Sequence, residues 1–131
     1  MRLLLPLAAL LLAAVPAGAQ REPEWRDARE YDVLLRAWAY EPRLIQLPAG
    51  QPVRLHFVNN SRATMAFTAP RFFRAARVRE RDRDVATRGG FRLAPGERRS
   101  VLLVPAAGRY DALSSNLVHR ALGMRAEIRV E

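Results

Sequence analysis

The clearest pattern in the chain is the strict alternation Val53-Arg54-Leu55-His56-Phe57, with Val53, Leu55 and Phe57 facing one way and Arg54 and His56 the other. A period of two predicts a strand with one buried face. Shorter pieces repeat it. Asp32 to Tyr40 alternates weakly, with Val33, Leu35, Ala37 and Ala39 on one side. Glu41-Pro42 breaks that run, and Arg43 to Leu47 resumes it. Thr64-Met65-Ala66-Phe67-Thr68 places Met65 and Phe67 on one face. Phe91 to Leu93, Arg99 to Val104, Arg109 to Leu113 and Met124 to Val130 complete the set. Turn chemistry separates the pieces: Pro48-Ala49-Gly50, Asn59-Asn60-Ser61, Ala94-Pro95-Gly96-Glu97 and Pro105 to Gly108. About seven or eight short strands at regular spacing predict an antiparallel β-sandwich. One stretch departs from the pattern. Between Pro70 and Gly90, Phe72 and Phe73 are anchors to the core, and Arg74 to Val85 has the composition of one short surface helix.

The N-terminus follows a different logic. Met1-Arg2 is a short positive start, Leu3 to Val15 is apolar apart from Pro6, and Ala17-Gly18-Ala19 is a small-x-small site. This predicts a signal peptide over 1–19, cleaved after Ala19, and hence a periplasmic protein. Residues 20–30 are polar and read as an N-terminal arm, leaving 31–131 as a single domain. No other stretch is long and apolar enough to span a bilayer. Cysteine is absent. Disulfides, thiolate nucleophiles, Fe–S clusters and Cys-bound zinc are therefore excluded, and stability rests on packing.

The formal charge is +9, and all 22 basic residues are arginine. Such a balance can signal nucleic acid, but export points instead to an acidic protein partner or an anionic surface. Arg71, Arg74, Arg77, Arg79, Arg81, Arg83 and Arg88 are interleaved with Glu80, Asp82 and Asp84. Mixed signs read first as a solvated face, and second as a docking face.

Candidate chemistry concentrates near the C-terminus. His119 and, five positions later, Met124 lie between two alternating runs. Imidazole and thioether are both copper ligands, the thioether a soft one. His56 lies opposite the apolar face of its strand and reads as solvent-facing. Ser114, Ser115 and His119 lack an acidic orienter or a nucleophile elbow, so hydrolysis has no support and the chain reads as a non-enzyme.

The ordered set of pieces resembles the cupredoxins, the plastocyanin- and azurin-like blue copper domains. It rests on Glu41 to Gly50 leading into Pro52 to Asn60, on Leu93-Ala94-Pro95-Gly96-Glu97, on Gly108-Arg109-Tyr110, and on Gly123-Met124 followed by Ala126, Ile128 and Val130. The resemblance implies an all-β Greek-key antiparallel sandwich with one short helix or loop excursion. It also implies a copper site of one early His with Cys, His and Met from the last loop. The late His and Met fall on His119 and Met124. Ser114 stands at the Cys position, and Met65 stands where the early His belongs. The implied site is therefore degenerate: Met65, His119 and Met124, two thioethers and an imidazole, a donor set suited to Cu(I). Three readings follow. The first is copper binding through that site, with an acidic redox or copper-handling partner. The second is a metal-free periplasmic interaction module. The third is a blue electron-transfer protein, against which the missing thiolate argues. A monomer without nucleic acid is expected in each.

Overall fold

The computed structural model describes residues 22–114, 117–121 and 123–131. The expected signal peptide and its cleavage site lie outside these residues. A 3₁₀ turn at Trp25–Asp27 precedes β1 (Arg29–Arg36), which is followed by β2 (Ala39–Glu41), β3 (Leu44–Leu47), β4 (Val53–Asn59) and β5 (Met65–Thr68). The excursion holds α1 (Pro70–Ala75), β6 (Arg77–Val78), a 3₁₀ turn (Glu80–Asp82) and α2 (Asp84–Arg88). Then come β7 (Gly90–Leu93), β8 (Arg98–Val104), β9 (Gly108–Leu113), α3 (Leu117–Ala121) and β10 (Arg125–Val130). No helix among the described residues is long and apolar enough to cross a membrane.

The strands form two five-stranded sheets, ordered β2-β1-β4-β8-β6 and β3-β10-β9-β5-β7. The sandwich expectation holds, with two differences. Two pairs are parallel: β1 with β4, and β3 with β10. The reason is the crossing of β3 into the second sheet. The chain leaves the first sheet after β2 and returns to it as β4, so β4 enters beside β1 in the same direction. The second difference is the excursion, which is not one helix over 74–85. It breaks after Ala75 because Arg77 and Val78 pair with Val104 and Leu103 as the edge of the first sheet. Sheet pairing outweighs helix-compatible composition there.

The alternation expected for β4 is the observed burial: Val53, Leu55 and Phe57 are buried, while Arg54, His56 and Val58 are partly open. Residues 37–40 differ from the expected continuous strand. Ala37 and Trp38 form a two-residue turn, with Arg36 paired to Ala39 across it. One contiguous apolar core joins the inner faces of the two sheets. Phe67 is its hub. Its ring lies 5.3 Å from Tyr40, 4.8 Å from Phe57, 6.1 Å from Phe91 and 6.2 Å from Phe73. Phe72 and Phe73 are buried as expected. Each fully buried ring is worth roughly 1.5–3 kcal/mol of transfer free energy. Gly90 admits β7 to this core: a Cβ there would lie 2.3 Å from the Phe67 carbonyl oxygen.

The acidic residues of the excursion are structural anchors. Asp82 is 5% exposed, accepts the Leu102 amide at 3.1 Å and pairs with Arg79. Asp84 takes Arg99 in a two-pronged bond of 2.6 and 2.8 Å, which holds the Asp84 carboxyl below its usual range.

Candidate metal centre

Three adjacent strands of the second sheet bring the site together. Leu113, the last residue of β9, pairs with Thr68 on one side and Arg125 on the other. Met65 begins β5, Ser114 follows β9 and Met124 precedes β10, so all three sit at the same end of the sheet. Alternation decides where they face. Met65 shares its face with Phe67, Ser114 with Ala112, and Met124 with Ala126 and Ile128. Those partners are core residues, and Met65, Ser114 and Met124 are 2%, 1% and 0% exposed. Three neighbouring strands thus deliver two thioethers and a hydroxyl to one buried end of the sandwich.

The entry to β5 is held by Asn59, which is fully buried. Its amide donates to the carbonyls of Ala63 at 2.8 Å and Leu93 at 2.9 Å. Its oxygen accepts from the Ser61 amide at 3.0 Å and the Ser61 hydroxyl at 2.7 Å. Both halves of the side chain are used, and the loop before Met65 is fixed by them.

His119 comes from α3 and is 7% exposed. The Met124 amide donates to the His119 carbonyl at 3.0 Å, which ties the two backbones together. Ser114 Oγ lies 3.3 Å from His119 Nδ1. Ser114 also hydrogen-bonds Tyr40, and the Tyr40 hydroxyl donates to the Ala66 carbonyl. Donor counting gives the chain a direction. The Tyr40 proton is committed to Ala66, so the Ser114 hydroxyl donates to Tyr40. Nδ1–H of His119 then donates to Ser114, a tautomer assigned from the network. Burial keeps the Tyr40 hydroxyl far above its usual range, opposed by the Ser114 bond. Tyr40 is therefore held in its protonated form. Trp38 closes the outer side: its ring meets the His119 ring edge to face at 4.9 Å, and it is 49% exposed. A cleft of about 480 Å³ opens beside Ser114 between Thr68, Arg71, Arg109, Asp111 and Arg120.

Of the residues singled out in the sequence, Ser114 and His119 are in direct contact. Met65 and Met124 are buried at the same end of the sheet. His56 lies elsewhere: its Nδ1 is 2.7 Å from Ser100 Oγ, and its Nε2 is 3.5 Å from Glu30. Ser115 is outside the described residues. Sequence reasoning missed Tyr40 and Trp38, which lie far back in the chain and reach the site through the β1–β2 hairpin. Among the described residues no group of three or more His, Asp or Glu could hold a metal ion.

No protein-family model matches the chain, and no curated protein matches it in sequence. Solved structures do match. Dithionite-reduced auracyanin from Roseiflexus castenholzii superposes with a TM-score of 0.57 at 20% identity, over 79% of this chain and 98% of that one. Auracyanin B gives 0.59 at 22% identity, over 86% and 92%. The fold is that of the cupredoxins. Auracyanin A from Chloroflexus aurantiacus, a "blue" copper protein, has the same cupredoxin architecture at 17% identity with a TM-score of 0.52, over 78% of this chain and 99% of that one. This chain has no cysteine, so it has no thiolate to offer a metal.

Proposed function

We propose that this chain is an exported cupredoxin-fold protein that binds copper as Cu(I) through Met65, His119 and Met124. The observation that carries this reading is the delivery of two thioethers to one buried end of three neighbouring strands, with His119, the only buried imidazole among the described residues, bonded through its carbonyl to the Met124 amide. The donor chemistry fits one oxidation state. Thioether and imidazole are neutral, and the soft sulfur favours Cu(I). Ser114 is a hard, weakly acidic hydroxyl and supplies none of the covalency of a thiolate. A centre cycling readily between Cu(I) and Cu(II) does not fit. The ion is cargo, and the protein a binding protein rather than an enzyme.

The residues around the donors have separate tasks in this reading. Asn59 fixes the loop that delivers Met65. The core side chains exclude water from both sulfurs. The Ser114–Tyr40 chain orients the imidazole, and its bond to Nδ1 competes with the ion for that nitrogen. Arg71, Arg109 and Arg120 surround the cleft beside Ser114 with positive charge, which suits an acidic copper-handling partner.

Competition for Cu(I) against a chromophoric chelator, under reducing conditions, tests the proposal. One equivalent should be withdrawn from the chelator, and His119→Ala and Met65→Leu/Met124→Leu should abolish the uptake. No uptake by the parent refutes it. The second reading, a metal-free interaction module, is favoured by the hydrogen-bond chain itself. His119, Ser114 and Tyr40 satisfy one another without an ion.

A further inference from the structure

Trp38 has three properties that belong together. It is the one non-glycine residue with positive φ among the described residues, at 67°. It is one of two large hydrophobic side chains exposed among them. Its ring meets the His119 ring at 4.9 Å. The second position of a two-residue turn with φ above zero is one that glycine takes without cost and a bulky side chain does not. The turn needs no indole for its own sake, and no apolar burial offsets the exposed half of its surface. Strain of this kind persists where the surroundings fix it and often marks a site. Here the strained backbone turns the indole onto His119.

The charge balance gives that placement a purpose. Met65, Met124, His119 and Ser114 contribute no negative charge, so a monovalent cation held by them keeps its charge in a nearly dry site. The negative face of an aromatic ring offsets such a charge, and indole does so best. We propose that Trp38 is a positioning and selectivity residue of the His119 site. It caps the imidazole, excludes water and offers its π-face to a soft monovalent cation, Cu(I) or Ag(I). This rests on the copper reading above.

The test uses a Trp25→Phe background, in which Trp38 is the sole tryptophan. Cu(I), and separately redox-inert Ag(I), are titrated anaerobically while chelator competition reports uptake and emission reports Trp38. Expected are uptake of one equivalent and loss of at least half the emission, saturating at the same equivalent. In the parent background, Trp38→Gly should leave the melting temperature unchanged or raise it, because the strain is relieved. It should weaken Cu(I) and Ag(I) binding about tenfold. Uptake with unchanged emission, or Trp38→Gly affinity within twofold of the parent, overturns the role of Trp38 and leaves the copper reading standing. Absence of uptake by the parent overturns both.

Discussion

Asn59→Asp changes one atom type at the best-connected polar side chain near the site. Asparagine and aspartate have the same shape, so packing is conserved and the hydrogen bonds alone are tested. The oxygen that accepts from Ser61 at 3.0 and 2.7 Å is retained. The amide that donates to Ala63 and Leu93 at 2.8 and 2.9 Å becomes an acceptor facing two acceptors. Each lost bond costs about 1 kcal/mol net, and leaving the buried Leu93 carbonyl unpaired costs about 1–3 kcal/mol. These terms come to about 4 kcal/mol, and burying a carboxylate without a counter-ion adds to that at pH 7. That is a large part of the roughly 5–15 kcal/mol expected of a domain. The sign with pH is distinctive. Burial raises the introduced carboxyl's folded pKa above its unfolded value. Its protonated form donates one bond, so stability is retained below the unfolded value near 4 and lost as pH rises. Urea unfolding followed by circular dichroism at pH 7 and pH 4 measures both terms, relative to parent and to Asn59→Ala. The Asn59→Asp deficit should narrow at pH 4, while the Asn59→Ala deficit should not. A deficit below 1 kcal/mol at pH 7, or one independent of pH, refutes the role given to Asn59.

Three further outcomes are expected. Tyr40→Phe removes a hydroxyl whose ionisation burial opposes. A raised folded pKa gives stability that is intact below the ordinary tyrosine value near 10 and lost as pH rises, so the variant should lose about 1 kcal/mol at pH 7 and show a shallower alkaline decline, read by unfolding at pH 7 to 11. Asp84→Asn breaks the bond that lowers the Asp84 carboxyl. That contribution is present above pH 4 and lost as pH falls, so the variant should be about 0.5 kcal/mol less stable at pH 7, discounted for a side chain 39% exposed, and indistinguishable from parent at pH 2. Met65→His with Ser114→Cys restores a thiolate and an imidazole to the buried end of β5 and β9. Cu(II) should give intense visible absorption, and a folded, colourless variant contradicts the placement of these strands.

The fold was legible where local pattern and tertiary role coincide. Val53, Leu55 and Phe57 alternate because one face of β4 packs on the core while the other is partly open. Alternation failed at Ala37 and Trp38, where it continued by chance through a turn. It could not show that Arg77 and Val78 pair with β8, nor that Asp82 and Asp84 are held by Leu102 and Arg99. Such contacts span long stretches of chain and leave no local periodicity. The site divides the same way. His119 and Met124 were visible through their spacing, and Met65 and Ser114 through the cupredoxin resemblance. Tyr40 and Trp38 had no local signal, because a hairpin near the other end of the chain carries them. The helix that presents His119 was likewise hidden inside an expected loop.

Anaerobic titration of the chain with Cu(I), competed against a chelator of known affinity, decides whether Met65, His119 and Met124 hold copper. One equivalent of Cu(I), held tightly by the parent and lost in His119→Ala and in Met65→Leu/Met124→Leu, is the predicted result. Uptake no greater than that of the His119→Ala variant would contradict it.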